Sequence, residues 1–345
     1  MKRILVVACE QHWGLYKDGI LNYCANNDIV VNWFKVNFSK SDVGVIDKLK
    51  YKIDYNDYRH KYYESMRAKL CKLIPVYDEI IFYNLHYDKQ WFIQGEVLNL
   101  LRYKKVKLFF VDTIRIIKEN VPYWDIFDNI YSFEYGDIGW AKNNLGIDVE
   151  FLPVGSSYAL FEKTIDCFKY DVCFVGMATK NRLVYLEEIA KYCYENNKKF
   201  FVAGLFWHSN NFLNYLIGEF KFKNKYPMLA QYVKNEYIEP SSVARIYSES
   251  KIVLNINMQF HYGFNQRNFD AMVCKSLLLC SQQNLDGIDL EDGKDFIMCR
   301  DVEDMLKSID FYLREEKLRK NIVDRAYLKA YKKYLIEHTL RVLFN

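Results

Sequence analysis

The sequence is poor in several features that would assign it to a class at once. It has five prolines and fourteen glycines among 345 residues, which excludes collagen-like and low-complexity tracts. No apolar run approaches the roughly 20 residues that cross a bilayer, so a membrane role would have to be peripheral. The formal net charge of +4 is too small to require a nucleic-acid partner, and we expect none.

Paired cysteines are also missing. The nine cysteines show no CxxC spacing and no paired zinc motif, and several lie in apolar runs, which is typical of reduced thiols in a core. The apolar run from Ile4 to Cys9 is too short for an export signal and predicts a first strand instead. These observations predict a cytoplasmic protein, with the inner face of the cell membrane as an alternative location.

The sequence does contain ample material for a core, since 51% of its residues are hydrophobic and 17% are aromatic. A chain of this length buries roughly three-quarters of its unfolded surface and usually forms two domains. Short apolar runs alternate with helix-length segments, which predicts parallel sheets covered by helices on both faces. The runs are residues 3–9, 29–36, 79–86, 106–113 and 129–135, then 170–176, 198–204, 251–258, 275–281 and 295–301.

A polar connection interrupts this rhythm and predicts two successive α/β domains. We assign residues 1–155 to a first Rossmann-like domain, 156–169 to a linker, 170–325 to a second such domain and 326–345 to a C-terminal helix. The stretch after Asp301, its expected N-cap, contains two or three helices. Ligands of doubly wound sheets bind beyond the carboxyl ends of the strands, here in a central cleft that both domains would face.

A glycine and two basic residues follow the first strand of the second domain, in DVCFVGMATKNR (171–182). Gly176 would let a ligand approach the backbone closely, and the exposed amides and dipole of the next helix would favour an anion. Lys180 and Arg182 would complement a diphosphate. The alternative is a glycine turn followed by solvated charges.

A second candidate lies in LNINMQFHYGFNQRNFDAMVCKSLLLCS (254–281), which reads as strand, polar loop, helix and strand. Arg267 and Asp270 are three residues apart and share one face of the first helical turn. An arginine at a helix N-terminus suits a diphosphate, and a carboxylate one turn later suits the hydroxyls of a ribose. In the alternative interpretation, the helix dipole favours Asp270, and Arg267 is its ion-pair partner.

The segment from Tyr262 to Leu279, YGFNQRNFDAMVCKSLLL, resembles the donor-binding helix of GT-B glycosyltransferases, E-G-F-G-x-x-x-(L/F)-E-A-M-A-C-G-x-P. LPVGSSYALF (152–161) is similar to the interdomain junction of that family. DVCFVG and the stretch 293–313 resemble its spore-maturation-protein-like subgroup. The sequence departs from the pattern at Tyr262, where the family has its first glutamate, and at Lys275, where the family has a glycine.

The resemblance implies a GT-B fold whose C-terminal helices pack back toward the first domain. It also implies a glycosyltransferase that moves a sugar from a nucleotide diphosphate sugar to a glycan or lipid-linked oligosaccharide, in surface polysaccharide biosynthesis. The second domain would bind the donor and the first domain the acceptor. The expected donor-binding residues are Gly176, Lys180, Arg182, Gly263, Phe264, Asn265, Arg267 and Asp270.

Neither a cofactor nor a metal ion is expected beside this donor. Basic groups and helix N-termini can stabilise a departing diphosphate, and the sequence has no DxD-like pair at a strand end. The base that takes the acceptor's proton should follow a strand of the first domain. His12, His86 and Asp112 have such positions, with Glu134 and Asp137 as further acids. For each of them, a structural role at the end of a strand is the alternative.

The segment 48–72 combines lysines and arginines with tyrosines at helical spacing. It predicts either a basic surface for an anionic acceptor or lipid headgroups, and hence a peripheral membrane contact, or a helix that packs its tyrosines and solvates its lysines.

Two other functions stay open on the sequence alone. One is a nucleotide-sugar epimerase or hydrolase of the same architecture, and the other is a nucleotide-binding protein without chemistry. A dehydrogenase is not expected, because GxGxxG follows the first strand of neither half.

Overall fold

The computed structural model of the chain describes residues 1–36, 55–84, 93–117, 121–161, 167–207, 212–258 and 262–345. It divides into two compact units. The first consists of Met1–Pro153 with Ile336–Asn345, and the second of Val154–Leu335. Each unit contains a six-stranded parallel sheet with helices between the strands, so the predicted α/β class with two doubly wound domains is confirmed.

The first unit is built on the sheet order β2-β1-β3-β4-β5-β6. Its central strands are buried on both faces because helices cover both sides, which explains their continuous apolar sequences. The strands are β1 (Lys2–Ala8), β2 (Ile29–Lys35), β3 (Glu79–Tyr83), β4 (Lys105–Phe110), β5 (Asn129–Ser132) and β6 (Glu150–Phe151). The helices are α1 (Glu10–Asn26), α2 (Tyr55–Leu73), α3 (Glu96–Leu101), α4 (Gly136–Leu145) and, from the end of the sequence, α11 (Ile336–Phe344).

Helix α11 is held to the first unit by lysines at the amino edge of its sheet. The buried Lys107 ammonium donates to the carbonyl of Leu343 at 2.7 Å, and Lys105 donates to the carbonyl of Asn345 at 2.7 Å. Glu79, which is fully buried, lies 3.0 Å from Lys107 and 2.6 Å from Lys2. These cations satisfy carbonyls that a helix leaves without partners at its C-terminus.

The second unit has the sheet order β12-β11-β10-β7-β8-β9. Within this unit the order corresponds to the 3-2-1-4-5-6 arrangement of dinucleotide-binding sheets, and it reverses between β7 and β10. The strands are β7 (Tyr170–Val175), β8 (Phe200–Ala203), β9 (Val233–Lys234), β10 (Ser250–Asn255), β11 (Leu277–Ser281) and β12 (Ile297–Cys299). The helices are α5 (Lys180–Glu195), α6 (Phe212–Lys225), α7 (Pro240–Ser248), α8 (Gln266–Val273), α9 (Val302–Arg314) and α10 (Glu316–Lys333).

The boundaries differ from the predicted ones in two places. The chain leaves the first unit after Pro153, and the segment 326–345 is not one helix but the end of α10 and all of α11. The break falls at Tyr334 and Leu335, where the carbonyl of Tyr334 accepts the backbone N–H of Ser156 at 2.8 Å. Only α11, and neither α9 nor α10, belongs to the first unit.

Local signals in the sequence explain most element ends. Asp301 caps α9 as predicted, accepting the backbone N–H of Asp304 at 2.9 Å. Strand β9 has only two residues and was not predicted.

All nine cysteines are free, and seven of them are buried, as expected for core thiols. Among the described residues, no helix is long and apolar enough to cross a membrane.

Candidate functional site

The reversal of strand order places two loops side by side at the carboxyl edge of the second sheet. Strand β7 leads through Gly176 into α5, and β10 leads from Asn255 into α8. Because the chain turns away in opposite directions from these neighbouring strands, a crevice opens beyond their carboxyl ends, where ligands of such sheets bind. The predicted donor-binding residues surround this switch point.

Two glycines let the backbone and an arginine come close together here. Gly204, at the end of β8, has a φ of +140°, and a Cβ atom on it would lie 2.0 Å from the carbonyl oxygen of Gly176. A Cβ atom on Gly176 would lie 2.6 Å from Nη2 of Arg267. A side chain at position 176 would therefore displace the Arg267 guanidinium from this place.

An asparagine network fixes the amino end of α8. Asn265 is the N-cap, and its Oδ1 accepts the backbone N–H of Arg267 at 3.2 Å. Nδ2 of Asn255 donates to Oδ1 of Asn265 at 3.2 Å and to Oδ1 of Asn268 at 2.5 Å. Nδ2 of Asn265 donates to Oδ1 of Asn257 at 3.0 Å. The end of β10 and the start of the helix are therefore joined by neutral donors and acceptors, which adds no negative charge to an anion site.

Arg267 is the cation at this helix start. Its Nη1 donates to Oδ1 of Asn255 at 2.8 Å, and its Cζ lies 5.5 Å from the ring centroid of Phe174. The side chain is half-buried, so the guanidinium is held in one place while part of it still reaches solvent. A fixed guanidinium beside a helix N-terminus is suited to bind a phosphate.

Arg182 has a different position from the one the sequence suggested. Its side chain is buried, and it donates from Nε to the carbonyl of Ile256 at 2.7 Å and from Nη1 to the carbonyl of Met177 at 3.1 Å. Burial, followed by the positive charge of Arg267, lowers the pKa of Arg182 to about 9. Arg182 thus ties the loops after β7 and β10 together, whereas Lys180, the first residue of α5, is exposed.

Asp270 lies one turn further along α8 and is buried. The Ser156 hydroxyl donates to its Oδ1 at 2.5 Å. Burial raises the pKa of Asp270 to about 7, although the Ser156 hydrogen bond and the charge of Arg267 both act to lower it. The buried hydroxyl of Tyr247 is hydrogen-bonded to Arg267, and burial raises the pKa of that tyrosine.

The loop before α8 contributes packing as well as backbone. Gly263 is buried, and the ring of Phe264 lies in the core, with its centroid 5.3 Å from that of Phe269 and 5.2 Å from that of Phe296. The Phe264 side chain is therefore directed away from solvent and anchors the loop. Residues 259–261 of this candidate segment lie outside the described residues.

Of the three candidate bases of the first unit, only Asp112 has a side chain that the structure describes. His86 lies outside the described residues, and of His12 only the backbone, within α1, is described. Asp112 follows β4, and its Oδ2 accepts from Nδ2 of Asn84 at 3.0 Å. Asn84 ends β3 with a φ of +61°, so the ends of two neighbouring strands are joined by this pair.

Asp137, one of the further acids, has the surroundings of a structural residue. It is fully buried, and its carboxylate accepts from the hydroxyls of Thr113 and Ser132, the backbone N–H of Ile114 and Nε of Arg115. Glu134 is also buried.

The basic segment is described only in part, as α2. Tyr63 is buried and Tyr62 packs against the core, while Lys61, Lys69 and Lys72 are exposed. These five side chains are arranged as in an amphipathic helix. Residues 48–54, and the side chains of residues 55–59, lie outside the described part.

Several residues at the switch point were not singled out from the sequence. Asn255 and Asn257 are two residues apart at the end of an apolar strand, and this interruption by two amides was the signal that could have identified them. Ser156 is the first of two serines in the junction 152–161, and Tyr247 gave no signal. In the described part of the chain, no three His, Cys, Asp or Glu side chains cluster as metal ligands would.

Comparisons with known proteins agree with this geometry. Residues 188–345, a little under half of the chain, match the family model described as "Glycosyl transferase-like". No curated protein matches the sequence significantly.

Solved structures of low sequence identity match the whole fold. A sucrose-phosphate synthase from Thermosynechococcus elongatus has a TM-score of 0.67 at 12% identity, over 100% of this chain and 98% of that chain. Anabaena HepE in complex with UDP and glucose has a TM-score of 0.68 at 10% identity, over 100% and 98% of the two chains. A UDP-N-acetylglucosamine 2-epimerase has a TM-score of 0.55 at 10% identity, over 99% and 94%.

The fold is thus that of the GT-B glycosyltransferases, as the sequence predicted. Residues 188–345, which match the glycosyl transferase-like family model, include α8 and its arginine.

Proposed function

We propose that the protein is a glycosyltransferase that uses a nucleoside diphosphate sugar as donor and a glycan or lipid-linked oligosaccharide as acceptor. The observation that carries this proposal is the position of Arg267. Its guanidinium lies at the amino end of α8, against Gly176, at the switch point of the second sheet. A fixed cation, a helix N-terminus and a closely approachable backbone together favour a diphosphate.

The donor's two polar parts have separate partners in this proposal. Arg267 and the exposed Lys180 neutralise the diphosphate, and Arg182 positions the loops that carry them. Asp270 accepts hydrogen bonds from the ribose hydroxyls in its ionised form. The Ser156 hydroxyl donates to Oδ1 of the same carboxylate and fixes its orientation.

The proposed transfer moves one proton and one leaving group. A base in the first unit, with Asp112 as the described candidate, takes the proton of the acceptor hydroxyl. The acceptor oxygen then forms a bond to the anomeric carbon, and the bond from that carbon to the diphosphate breaks. The electron pair leaves with the diphosphate, whose charge the basic groups stabilise without a metal ion.

The identity of the donor, the subgroup and the pathway are finer parts of the proposal, and each has its own support. HepE, whose solved complexes contain UDP and UDP-glucose, makes a uridine diphosphate sugar the first donor to test. The motifs DVCFVG and 293–313 support the spore-maturation-protein-like subgroup. A role in surface polysaccharide biosynthesis at the cytoplasmic face of the membrane is part of the same proposal.

A donor screen with product analysis tests the function. We expect one of the uridine, guanosine, thymidine and cytidine diphosphate sugars to raise the melting temperature, and transfer to an added glycan to continue after a chelator is added. Arg267→Ala should abolish the shift, while Arg314→Ala, a control on the exposed surface of α9, should keep it. Failure of all four donors to bind the wild-type protein would refute the proposal.

A second candidate, an epimerase or hydrolase of nucleotide sugars, is favoured by one observation. A UDP-N-acetylglucosamine 2-epimerase shares the fold over nearly the whole chain. The same assay separates the two functions, because a free sugar or an epimer in the absence of acceptor would replace the glycan product.

A further inference from the structure

Helix α6 of the second unit has apolar side chains on two opposite faces. Its inner face packs Tyr215 and Phe222 against Trp207, with ring centroids 6.3 Å and 4.9 Å from the tryptophan. Such contacts account for one face of a helix that lies on a sheet. A second apolar face on a surface helix calls for another explanation.

The outer face of α6 carries four large apolar side chains in a row. Leu213 is 66% exposed, Leu216 42%, Ile217 49% and Phe220 66%. We call these four residues the α6 stripe. Their spacing of i, i+3, i+4 and i+7 places them within an arc of about 100° over two helical turns. Isolated exposed apolar residues are normal on a protein surface, but a contiguous row marks an interaction site.

Lysines lie on both sides of the α6 stripe. At 3.6 residues per turn, Lys221 projects about 90° to one side of its centre and Lys223 about 70° to the other. Lys225 follows at the end of the helix, and all three lysines are exposed. The one acid of the helix, Glu219, is already paired with Lys223 at 2.7 Å.

We propose that α6 is a docking surface for an anionic phospholipid bilayer. Leu213, Leu216, Ile217 and Phe220 would enter the boundary between headgroups and acyl chains, with the helix in the plane of the surface. Lys221, Lys223 and Lys225 would remain at the level of the negatively charged headgroups. An apolar face flanked by lysines is the pattern of interfacial helices.

Two properties of the helix favour a bilayer over a second copy of the chain. A symmetric contact would bring the same lysines of two copies together, which like-charge repulsion disfavours. Four side chains on two turns are also far fewer than the roughly 20–30 residues a side of a stable protein interface. A bilayer needs neither charge complementarity from a partner protein nor a larger matching surface.

This inference deepens the membrane location in the proposed function by naming the surface that would hold the protein there. It does not rest on the transferase activity, because lipid binding requires no donor and no turnover. The test is sedimentation of the full chain with vesicles of phosphatidylcholine alone, or of phosphatidylcholine and phosphatidylglycerol in equal amounts. We expect binding to the anionic vesicles only, weakened by added salt. Replacing both Lys221 and Lys225 by Gln should lower the partition coefficient, by about fivefold for each lysine.

Phe220→Glu tests the apolar part, with Leu328→Glu on α10 as the matched control. The two side chains are almost equally exposed, 66% and 68%, but Leu328 lies outside the α6 stripe. We expect Phe220→Glu to abolish vesicle binding and Leu328→Glu to leave it unchanged. Nucleotide-induced thermal shifts should be normal in both variants, which would show that the donor site is intact.

Equal vesicle binding by Phe220→Glu and wild-type protein would overturn the proposal, as would failure of the wild-type chain to bind anionic vesicles. A concentration-dependent dimer that Phe220→Glu disrupts, observed in sedimentation velocity without lipid, would also overturn it and assign the stripe to self-association.

Discussion

The carboxyl edges of the two sheets differ although both sheets have six parallel strands. At the second edge, the described residues include two arginines next to the ring of Phe174, a buried aspartate and an asparagine network. At the first edge, the residues that follow the strands include three acids, Asp112, Glu134 and Asp137. Beside them Trp13 stacks on Trp33 with ring centroids 5.4 Å apart.

This difference shows that the scaffold does not determine which ligand a doubly wound sheet accepts. Strand order opens a crevice, and the few residues after two strands give it a charge. In the second unit those residues suit a diphosphate. In the first unit they are carboxylates and aromatic rings, which do not favour an anion. The predictions below separate the two edges.

The largest effect is expected from Arg267→Ala. Loss of a fixed cation that faces the leaving diphosphate should lower kcat/KM by about 100-fold or more. Steady-state kinetics with the donor found in the screen measures it, and Arg267→Lys should recover part of the activity. Near-wild-type activity in Arg267→Ala, with an unchanged circular dichroism spectrum, would remove the arginine from the donor site.

Asp112→Asn tests the first edge. If Asp112 is the base, kcat should fall by about 100-fold while donor affinity stays unchanged, because the substitution removes a proton acceptor and no partner of the diphosphate. Calorimetric titration with nucleotide and single-turnover kinetics separate the two quantities. Asp148→Asn, an exposed aspartate of the same unit, is the control and should be neutral in both.

Gly176→Ala should have an intermediate effect. The new Cβ would displace the Arg267 guanidinium and weaken donor binding by about tenfold, in line with the cost of overpacking a well-packed site. Gly139→Ala is the matched control, since nothing lies within 4 Å of its Cβ position. Titration calorimetry on both variants measures the affinity, and equal affinities would contradict the close contact between residues 176 and 267.

The smallest effect concerns the pH dependence of donor binding. With a pKa of about 7, Asp270 is mostly protonated at pH 6.5 and mostly ionised at pH 7.5, so nucleotide affinity should rise by about threefold between them. Asp270→Asn should flatten this profile. Ser156→Ala removes a hydrogen bond to the carboxylate and should move the rise to higher pH. A flat wild-type profile would mean that the ionised carboxylate does not bind the ribose.

The Asp270 carboxyl group also makes the free energy of unfolding depend on pH. Its pKa in the folded chain lies above the unfolded value, so its contribution is greatest at low pH. It is lost as pH rises from about 4 through about 7. In the absence of any ligand, the melting temperature of the wild-type protein should therefore fall relative to that of Asp270→Asn as pH rises from about 4 to about 7, and a constant difference would contradict the raised pKa.

Sequence patterns predicted the sheets well because buried parallel strands are continuous apolar runs. They missed β9, since two residues carry no periodicity, and they did not separate α10 from α11, since the break at Tyr334 has neither glycine nor proline. Hydrophobic periodicity shows which residues are buried. Every sheet of this class has buried strands, so periodicity predicts the sheets but not the ligand that they bind.

The sequence indicated candidate site residues only where a charged side chain lies in the first turn of a predicted helix. Arg267 and Asp270 could be proposed from the sequence because they lie in the first turn of a helix, and their role stays a prediction. The sequence indicated Arg182 as a donor ligand but not its contacts, because its partners are the backbone carbonyls of Met177 and Ile256. The hydrogen bond from Ser156 to Asp270 joins residues more than one hundred positions apart, so it too leaves no local signal in the sequence.

The lysines that hold α11 have a consequence for the order in which the protein is assembled. Residues 1–153 leave the ribosome first, yet the ammonium of Lys107 obtains its carbonyl partners only after residues 342 and 343 have been made. The unit that is translated first is therefore completed last, after the second unit has its whole sequence. Removal of the final ten residues would leave Lys107 and Glu79 without the helix that covers them.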